Sequence, residues 1–445
     1  MNPGKTIFAL SSGSGRAGIA VFRLSGPASS AALVALAGTL PEPRRFSQRR
    51  LVASDGGLLD QAVVVWLPGP GTATGEDMVE LHVHGGPALI ARLISELSAM
   101  VGLRLAEPGE FTRRAFDNER LDLLEVEGLS DLLAAESEAQ RHLAMRQFSG
   151  EVSGQIERWR AGLLEAVSLV EAAIDFAEED DVAGRAFGQA RAAARTLLEE
   201  LINALARSER AEIVRRGLRV VIAGAPNVGK SSLLNALLER DAAIVSPVPG
   251  TTRDIIEVSL MIAGIPVSLA DTAGLRDAAA DAIEAEGMVR TARAISDADI
   301  LVWVEAVDQS EERPAARTPD VVVLNKADLM PPDSIRMSND QKGTALLPVS
   351  AKSGAGVDTL RSRLGKEVSR RLEGVEHAVV VRERHRIAVS ESIRFLNDAL
   401  SQREDALEIM AEDMRNAARA LASLTGRMDV EEVLGRIFAD FCIGK

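Results

Sequence analysis

The sequence predicts a multidomain fold of α/β plus α class: an α/β domain inserted in a helical domain and preceded by an α+β domain. Three observations predict it. A chain of 445 residues exceeds one hydrophobic core, at about 100–200 residues per domain. Helical periodicity appears in two stretches far apart in the chain, with alternating strand and helix patterns between them. The composition is that of a globular protein, 46% hydrophobic and 26% charged, which excludes a disordered chain.

Residues 1–118 are expected to form the α+β domain. TIFAL, GIAVFRLSG, QAVVVWLPGPG and DMVELHVHGG are short apolar runs bounded by turn residues, as strands are. Gly13, Gly15 and Gly18 fit G-x-G-x-x-G, but a strand-like run follows them, not a helix, so a flexible turn is expected and not a dinucleotide fingerprint. His82 and His84 in LHVHGG point to one face of a strand. No third metal ligand is evident in the sequence, and a polar sheet face is the expectation.

Residues 119–215 form the first part of the helical domain. Leu129, Leu132 and Leu133, then Leu163, Val167, Val170 and Ile174, recur at helical spacing, with little Gly or Pro. Residues 216–370 alternate apolar strand runs with helical patterns, which reads as parallel strands covered on both faces. Residues 371–445 return to helix. Leu407, Met410, Met414, Leu421 and Leu424 form one stripe. Asp429 and Glu432 resemble a capping box, and Val433, Leu434, Ile437, Phe438 and Phe441 carry an apolar face into the tail FCIGK. The helical domain is thus split around the α/β domain.

The net charge of −14 argues against a large sequence-independent nucleic-acid surface, although a local basic patch escapes a net count. The single cysteine excludes a disulfide framework and fits a reducing compartment. The opening MNPGKTIFALSSG lacks a signal-peptide apolar core, and no stretch approaches the ~18 apolar residues of a membrane helix. A cytoplasmic protein without membrane association is expected.

The chemistry lies in the α/β domain. Gly224 to Ser231, directly after the strand run LRVVIAG, fit G-x-x-x-x-G-K-S. Glycines let backbone N–H groups face a phosphate at a helix N-terminus. Lys230 would neutralise the β- and γ-phosphates and Ser231 would ligate Mg²⁺, with Val228, Gly229 and Ser232 beside them. GTTRD follows, in which Thr252 would reach Mg²⁺ and the γ-phosphate. DTAG comes next: Asp271 would hold the metal through water, flanked by Thr272 and Ala273, and the Gly274 N–H would sense the γ-phosphate. In NKAD, Asn325, Lys326 and Asp328 provide a guanine site, because the Asp328 carboxylate can accept from N1–H and the exocyclic amine, a pairing adenine cannot offer. Ser350, Ala351 and Lys352 supply backbone for the guanine oxygen. Motifs in this order, each at a strand end, predict a guanine-specific P-loop GTPase.

Leu275 follows DTAG where Ras-like enzymes place a water-orienting Gln. Glu284 and Glu286 stand downstream, either as substitutes or as a solvated helix face. Cys442 is either an inert residue on a loose end or a thiol held in a site.

The set GAPNVGKSS, GTTRD, DTAGLR, NKAD and terminal FCIGK, with LHVHGGP, PGEFTRRAF and LDLLEVEGLSDLLAAES, resembles the MnmE (TrmE) family of tRNA modification GTPases over essentially the whole chain. The resemblance implies a GTP hydrolase that acts with the flavoprotein MnmG (GidA), which carries FAD. Together they add an aminomethyl or carboxymethylaminomethyl group to carbon 5 of the wobble uridine of certain tRNAs. It implies a one-carbon donor, a 5,10-methylene or 5-formyl tetrahydrofolate derivative, bound by an N-terminal domain that also forms a homodimer.

By the same resemblance, Asn227 would contact K⁺, and the loop Ser246, Pro247, Val248, Pro249, Gly250, Thr251 and Thr252 would complete the K⁺ and nucleotide site through Ser246, Val248 and Thr251. Glu284 matches the water-orienting acid through E-x-x-G, with one extra residue after DTAG. Arg23, Glu80 and Lys445 match folate contacts, and Arg120 stands where the family often has Lys. Cys442 is implied in modification, with nucleophile, acid and positioning roles all open. The alternative is an RNA-binding assembly GTPase of the Era or Der type, which would carry an RNA module such as a KH fold; none is evident in the sequence.

Overall fold

The computed structural model describes residues 4–13, 15–176, 180–238, 257–271, 292–309, 317–331, 338–339, 345–403, 406–426, 434–435, 437–438, 441 and 444, with backbone alone at 180–181, 257–259, 270–271, 338–339 and 376. The chain gathers into two compact units. One combines Met1–Leu133, Ala144–Leu198 and Ala388–Lys445; the other combines Ala134–Leu143 and Glu199–Ile387.

The first unit opens with β1 (Thr6–Leu10), β2 (Ala17–Ser25), α1 (Ser29–Ala37), β3 (Ser47–Val52), β4 (Leu58–Leu67), β5 (Met78–Gly85), α2 (Pro87–Ala99), β6 (Leu103–Leu105) and α3 (Glu110–Asp117). Among the described residues the strands form one sheet in the order β3-β4-β5-β2-β1-β6. Neighbours run antiparallel except β1 and β6. Because side chains alternate along a strand, Phe22, Leu24, Leu81 and Val83 face one way. There they pack with Leu33 and Leu36 of α1 and Leu93 and Leu97 of α2. Each such burial is worth about 1.5–3 kcal/mol. The same alternation sends Arg23, Glu80 and His82 to the opposite face. GSGRAG is the connection between antiparallel β1 and β2, and Gly18 lies inside β2, so no helix follows it.

Five helices follow: α4 (Leu123–Ala134), α5 (Glu138–Phe148), α6 (Glu151–Asp175), α7 (Asp180–Ala206) and α8 (Ser208–Arg216). Leu163, Val167 and Val170 of α6 are buried, as their spacing predicts. In α4 the buried face is Leu123, Leu124 and Val126, whereas Leu133 is 51% exposed. Gly128 explains this roll of the helix: a Cβ there would lie 2.5 Å from the Phe148 nitrogen, so α4 turns its glycine against the end of α5.

The second unit carries β7 (Leu218–Gly224), α9 (Lys230–Leu238), β8 (Glu257–Ile262), β9 (Ile265–Asp271), β10 (Ile300–Ala306), β11 (Val321–Asn325), β12 (Ser338–Asn339), β13 (Ala345–Pro348) and α10 (Val357–Arg371). The sheet order among the described residues is β12-β13-β11-β10-β7-β9-β8. The five central strands are parallel and the two edge strands antiparallel. Val220, Ile222, Val302 and Val304 pack on Leu233 and Leu237 of α9 and Leu360 and Leu364 of α10. Val221, Leu301 and Val322 face the other side, with Ile295 and Ala298. Burial on both faces is why these strands read as unbroken apolar runs.

The chain closes with α11 (Glu383–Ser401) and α12 (Leu407–Ala422). Met410, Met414 and Leu421 are fully buried, and Arg415 of α12 donates to Glu171 of α6 at 2.6 Å. Leu434, Phe438 and Phe441 pack on Leu123 and Val126 of α4. Asp429, Glu432 and Val433 lie outside the described residues.

Candidate functional site

The phosphate loop begins where β7 ends. A Cβ on Gly224 would lie 2.2 Å from the Val304 carbonyl oxygen, so only glycine lets the neighbouring strand come this close. Asn227 takes the left-handed conformation at φ 64°, which Asn tolerates better than most residues. Gly229 follows at φ 89°, and α9 starts at Lys230. The Lys230 side chain is buried at 6% exposure. Its Nζ donates to the carbonyls of Gly224 at 3.1 Å and Ala225 at 2.7 Å. The loop carbonyls thus hold the ammonium at the head of α9, where a helix N-terminus and a cation favour a bound phosphate.

Asn325, at the end of β11 and 2% exposed, ties this loop to the base-reading segments. Its Nδ2 donates to the Val228 carbonyl at 2.8 Å, and its Oδ1 accepts from the Ala351 N–H at 3.1 Å. Ser350 is fully buried; its Oγ donates to Asp328 Oδ1 at 2.6 Å and accepts from the Ser353 N–H at 3.1 Å. That hydroxyl holds the Asp328 carboxyl below the usual carboxylate range. Lys326 sits at φ 61° and pairs with Asp308 at 2.9 Å. Ala351 is half-buried and Lys352 exposed.

The structure therefore brings together Asn227 to Ser232, Asn325 to Asp328 and Ser350 to Lys352. Asp271 ends β9, and its backbone pairs with Ile222 of β7, two residues before the end of β7 at Gly224. Ser246 to Thr252, Thr272 to Gly274, Glu284 and the side chain of Asp271 lie outside the described residues. Sequence reasoning missed Asp308 and Ser353. Neither belongs to a motif; a turn-rich flank beside each motif was the available signal.

A second cluster lies on the face of the first unit's sheet that points away from α1 and α2. Arg23 donates to Glu80 Oε1 from Nη2 at 2.9 Å and from Nε at 3.2 Å. His82 Nε2 lies 3.2 Å from Glu80 Oε2, and the exposed Phe46 ring meets the His82 ring edge-on at 5.7 Å. His84 turns to Asp60 at 2.8 Å. The tail reaches this sheet too: Ser11, just beyond β1, donates from Oγ to the Gly444 carbonyl at 3.0 Å. Cys442 and Lys445 lie outside the described residues. Arg120 is exposed; its backbone N–H bonds to the Ala115 carbonyl at 2.8 Å, in the turn that ends α3. Ser11, His82 and Phe46 were not singled out for this site by sequence. Register and tail docking join them, and neither leaves a local pattern.

Comparison with known proteins identifies the family. The family profile described as "GTP-binding protein TrmE N-terminus" matches residues 6–120. The profile described as "MnmE helical domain" matches residues 123–442, spanning the inserted α/β region. The chain is 48% identical over 452 residues to the tRNA modification GTPase MnmE of Phenylobacterium zucineum, covering 99% of each. It is 48% identical over 446 residues to the protein of that name from Methylobacterium sp., and 47% over 450 residues to that of Caulobacter vibrioides, again covering 99% of each. With P-loop geometry, inserted α/β architecture and full-length likeness in agreement, the chain belongs to the MnmE family of tRNA modification GTPases.

Proposed function

We propose that this chain hydrolyses GTP and, with the FAD-bearing flavoprotein MnmG (GidA), adds a (carboxymethyl)aminomethyl group to carbon 5 of the wobble uridine of certain tRNAs. Family membership supports the reaction class. The observation that carries the GTPase reading is the chain Val228–Asn325–Ala351, which locks phosphate loop and base-reading loop into one unit. An ionised Asp328, held by Ser350, accepts from guanine N1–H and its amine, whereas adenine presents an acceptor at N1.

The residues present fit the groups this reading requires. The Ser231 hydroxyl at the head of α9 is a hard oxygen suited to Mg²⁺, and Thr252 would supply a second. Asn227, which a left-handed turn sets at the loop bend, would offer an oxygen for K⁺, and Ser246, Val248 and Thr251 would complete the set. Arg23 and Glu80, a half-buried pair on one sheet face, present a cation and an acceptor suited to the charged groups and N–H donors of a tetrahydrofolate derivative. Lys445 would add a charge there, and Arg120 would contribute from the turn after α3. Glu284 orients the attacking water and Cys442 serves the modification centre. The chain acts in the cytoplasm as a homodimer; no helix among the described residues is long and apolar enough to cross a membrane.

The test is nucleoside mass spectrometry of tRNA from cells that lack their own homologue and express this chain, Lys230→Ala or Cys442→Ser. The wild-type chain restores the modified uridine and both variants fail, with GTP turnover lost only in Lys230→Ala. No restoration by the wild-type chain, with folding and partner supply verified, overturns the modification reading.

A further inference from the structure

We propose that the edge strand β3 and the residues leading into it form a tRNA-binding surface: Arg44, Arg45 and Arg50 hold backbone phosphates, and Phe46 stacks an unpaired base of the anticodon loop. The choice of tRNA rests on the modification reading above; the surface itself rests on charge, exposure and register.

The charge is local. The chain as a whole carries −14, which repels a polyanion, so contact with tRNA must be confined to a basic patch. Pro43 to Ser54 contains four arginines and no Asp or Glu. Adjacent arginines elsewhere are neutralised: Arg113 and Arg114 pair with Asp117 and Glu76, and Arg370 and Arg371 with Glu367 and Asp320. Arg44 instead donates to the carbonyls of Pro68 at 3.2 Å and Gly71 at 2.9 Å, and Arg49 to that of Gln48 at 3.0 Å. Neutral carbonyls leave those charges unbalanced. Arg45 meets Glu42, but the two side chains are 71% and 66% exposed, a pair that a phosphate can displace. Arg50 is exposed and pairs with no carboxylate among the described residues.

An aromatic ring stands in the same run. Phe46 is 72% exposed, in a chain with only 3% aromatic residues. Its ring meets that of His82 at 5.7 Å and 89°, which steadies it and leaves most of it to solvent. Register gives its face. Gln48 stands opposite Val63, and Val63 opposite His82; directly opposed residues share a face. Phe46 and Arg50, two residues either side of Gln48, share it too. His82 in turn stands beside Glu80, the partner of Arg23. The basic strand therefore borders the Arg23–Glu80 cluster on one side of the sheet, and a base stacked on Phe46 lies next to the residues suited to the one-carbon donor. RNA loops are held in this way, with splayed bases on aromatic rings and phosphates on arginines. A protein partner fits less well, because the core of a protein interface is depleted of charge.

The experiment uses the full chain and two probes, an unmodified tRNA transcript and an RNA duplex of equal length without a loop. Filter binding over a salt series reads affinity, with GTP turnover and flavoprotein-supported modification read alongside. Arg45→Gln/Arg50→Gln weakens binding of both probes by about tenfold. It flattens the slope of log affinity against log salt by about 1 per arginine, while GTP turnover stays at the wild-type rate. Arg45→Lys/Arg50→Lys, which keeps the charges, regains the slope. Phe46→Ala weakens binding of the transcript by about tenfold, leaves duplex affinity and salt slope unchanged, and is rescued by Phe46→Trp.

Equal affinity and slope in the Gln variant would overturn the surface and leave its arginines as guards of a sheet edge. No tRNA binding by the wild-type chain, alone or with the flavoprotein, would overturn it as well. Loss of flavoprotein binding or of dimerisation with tRNA binding intact would replace it with a protein interface. A Phe46→Ala chain that loses nothing, or loses equally on both probes, would overturn the stacking role. If the wild-type chain binds tRNA and modifies none, the function reading fails, and the binding comparison still decides the surface.

Discussion

Asn325 reaches Val228 across 97 positions of sequence, donating from Nδ2 to its carbonyl at 2.8 Å. A Cβ on the intervening Gly229 would fall 2.4 Å from that same Nδ2. The asparagine thus fills the space which the glycine leaves, and its other end holds Ala351. The side chain spaces two binding loops, in addition to any contact with a base.

Asn325→Ala removes both bonds and leaves the Val228 carbonyl and the Ala351 N–H without that partner. Each buried orphan costs about 1–3 kcal/mol. Titration calorimetry should show GTP binding weakened by about tenfold to a hundredfold. An unchanged affinity would show that the loops hold their spacing without it.

The Ser350 hydroxyl holds the Asp328 carboxyl below its ordinary range. A depressed carboxyl favours the folded, ionised form above its unfolded value, and that advantage is lost as pH falls through the folded value. GTP affinity in the wild-type chain should therefore persist on the acid side until Asp328 protonates. In Ser350→Ala the acid limb should move to higher pH. Affinity measured across mildly acidic buffers checks this, and coincident limbs would contradict it.

Glu80 accepts two bonds from Arg23 and stands beside His82. Glu80→Gln keeps the shape and removes the charge. Binding of 5-formyl-tetrahydrofolate, followed by fluorescence, should weaken by about tenfold, as expected for a charge-assisted bond. GTP turnover should not change. Equal folate affinity in the variant would remove Glu80 from that site.

Phe438 is 8% exposed, packs with Leu123 and Val126, and lies under the Arg113 guanidinium at 5.8 Å. Phe438→Ala should cost about 3–5 kcal/mol of tail docking. Limited proteolysis should then cut near the C-terminus while the thermal midpoint of the α/β unit stays put. Wild-type resistance to cleavage would show that Phe441 and Leu434 suffice.

The sequence by itself determined the parts whose physics is local. Strand runs such as LRVVIAG, the stripe Met410, Met414 and Leu421, and the phosphate loop from Gly224 to Ser231 each follow from side-chain period or from backbone needs within a few residues. Tertiary structure alone decided the rest. The Ser11–Gly444 bond spans 433 positions, and the Arg23–Glu80 pair depends on strand register. The buried face of α4 departs from its leucine spacing because Gly128 admits the backbone of Phe148. Such contacts arise from which surfaces meet after folding, and periodicity along one segment does not encode the segment that it will meet.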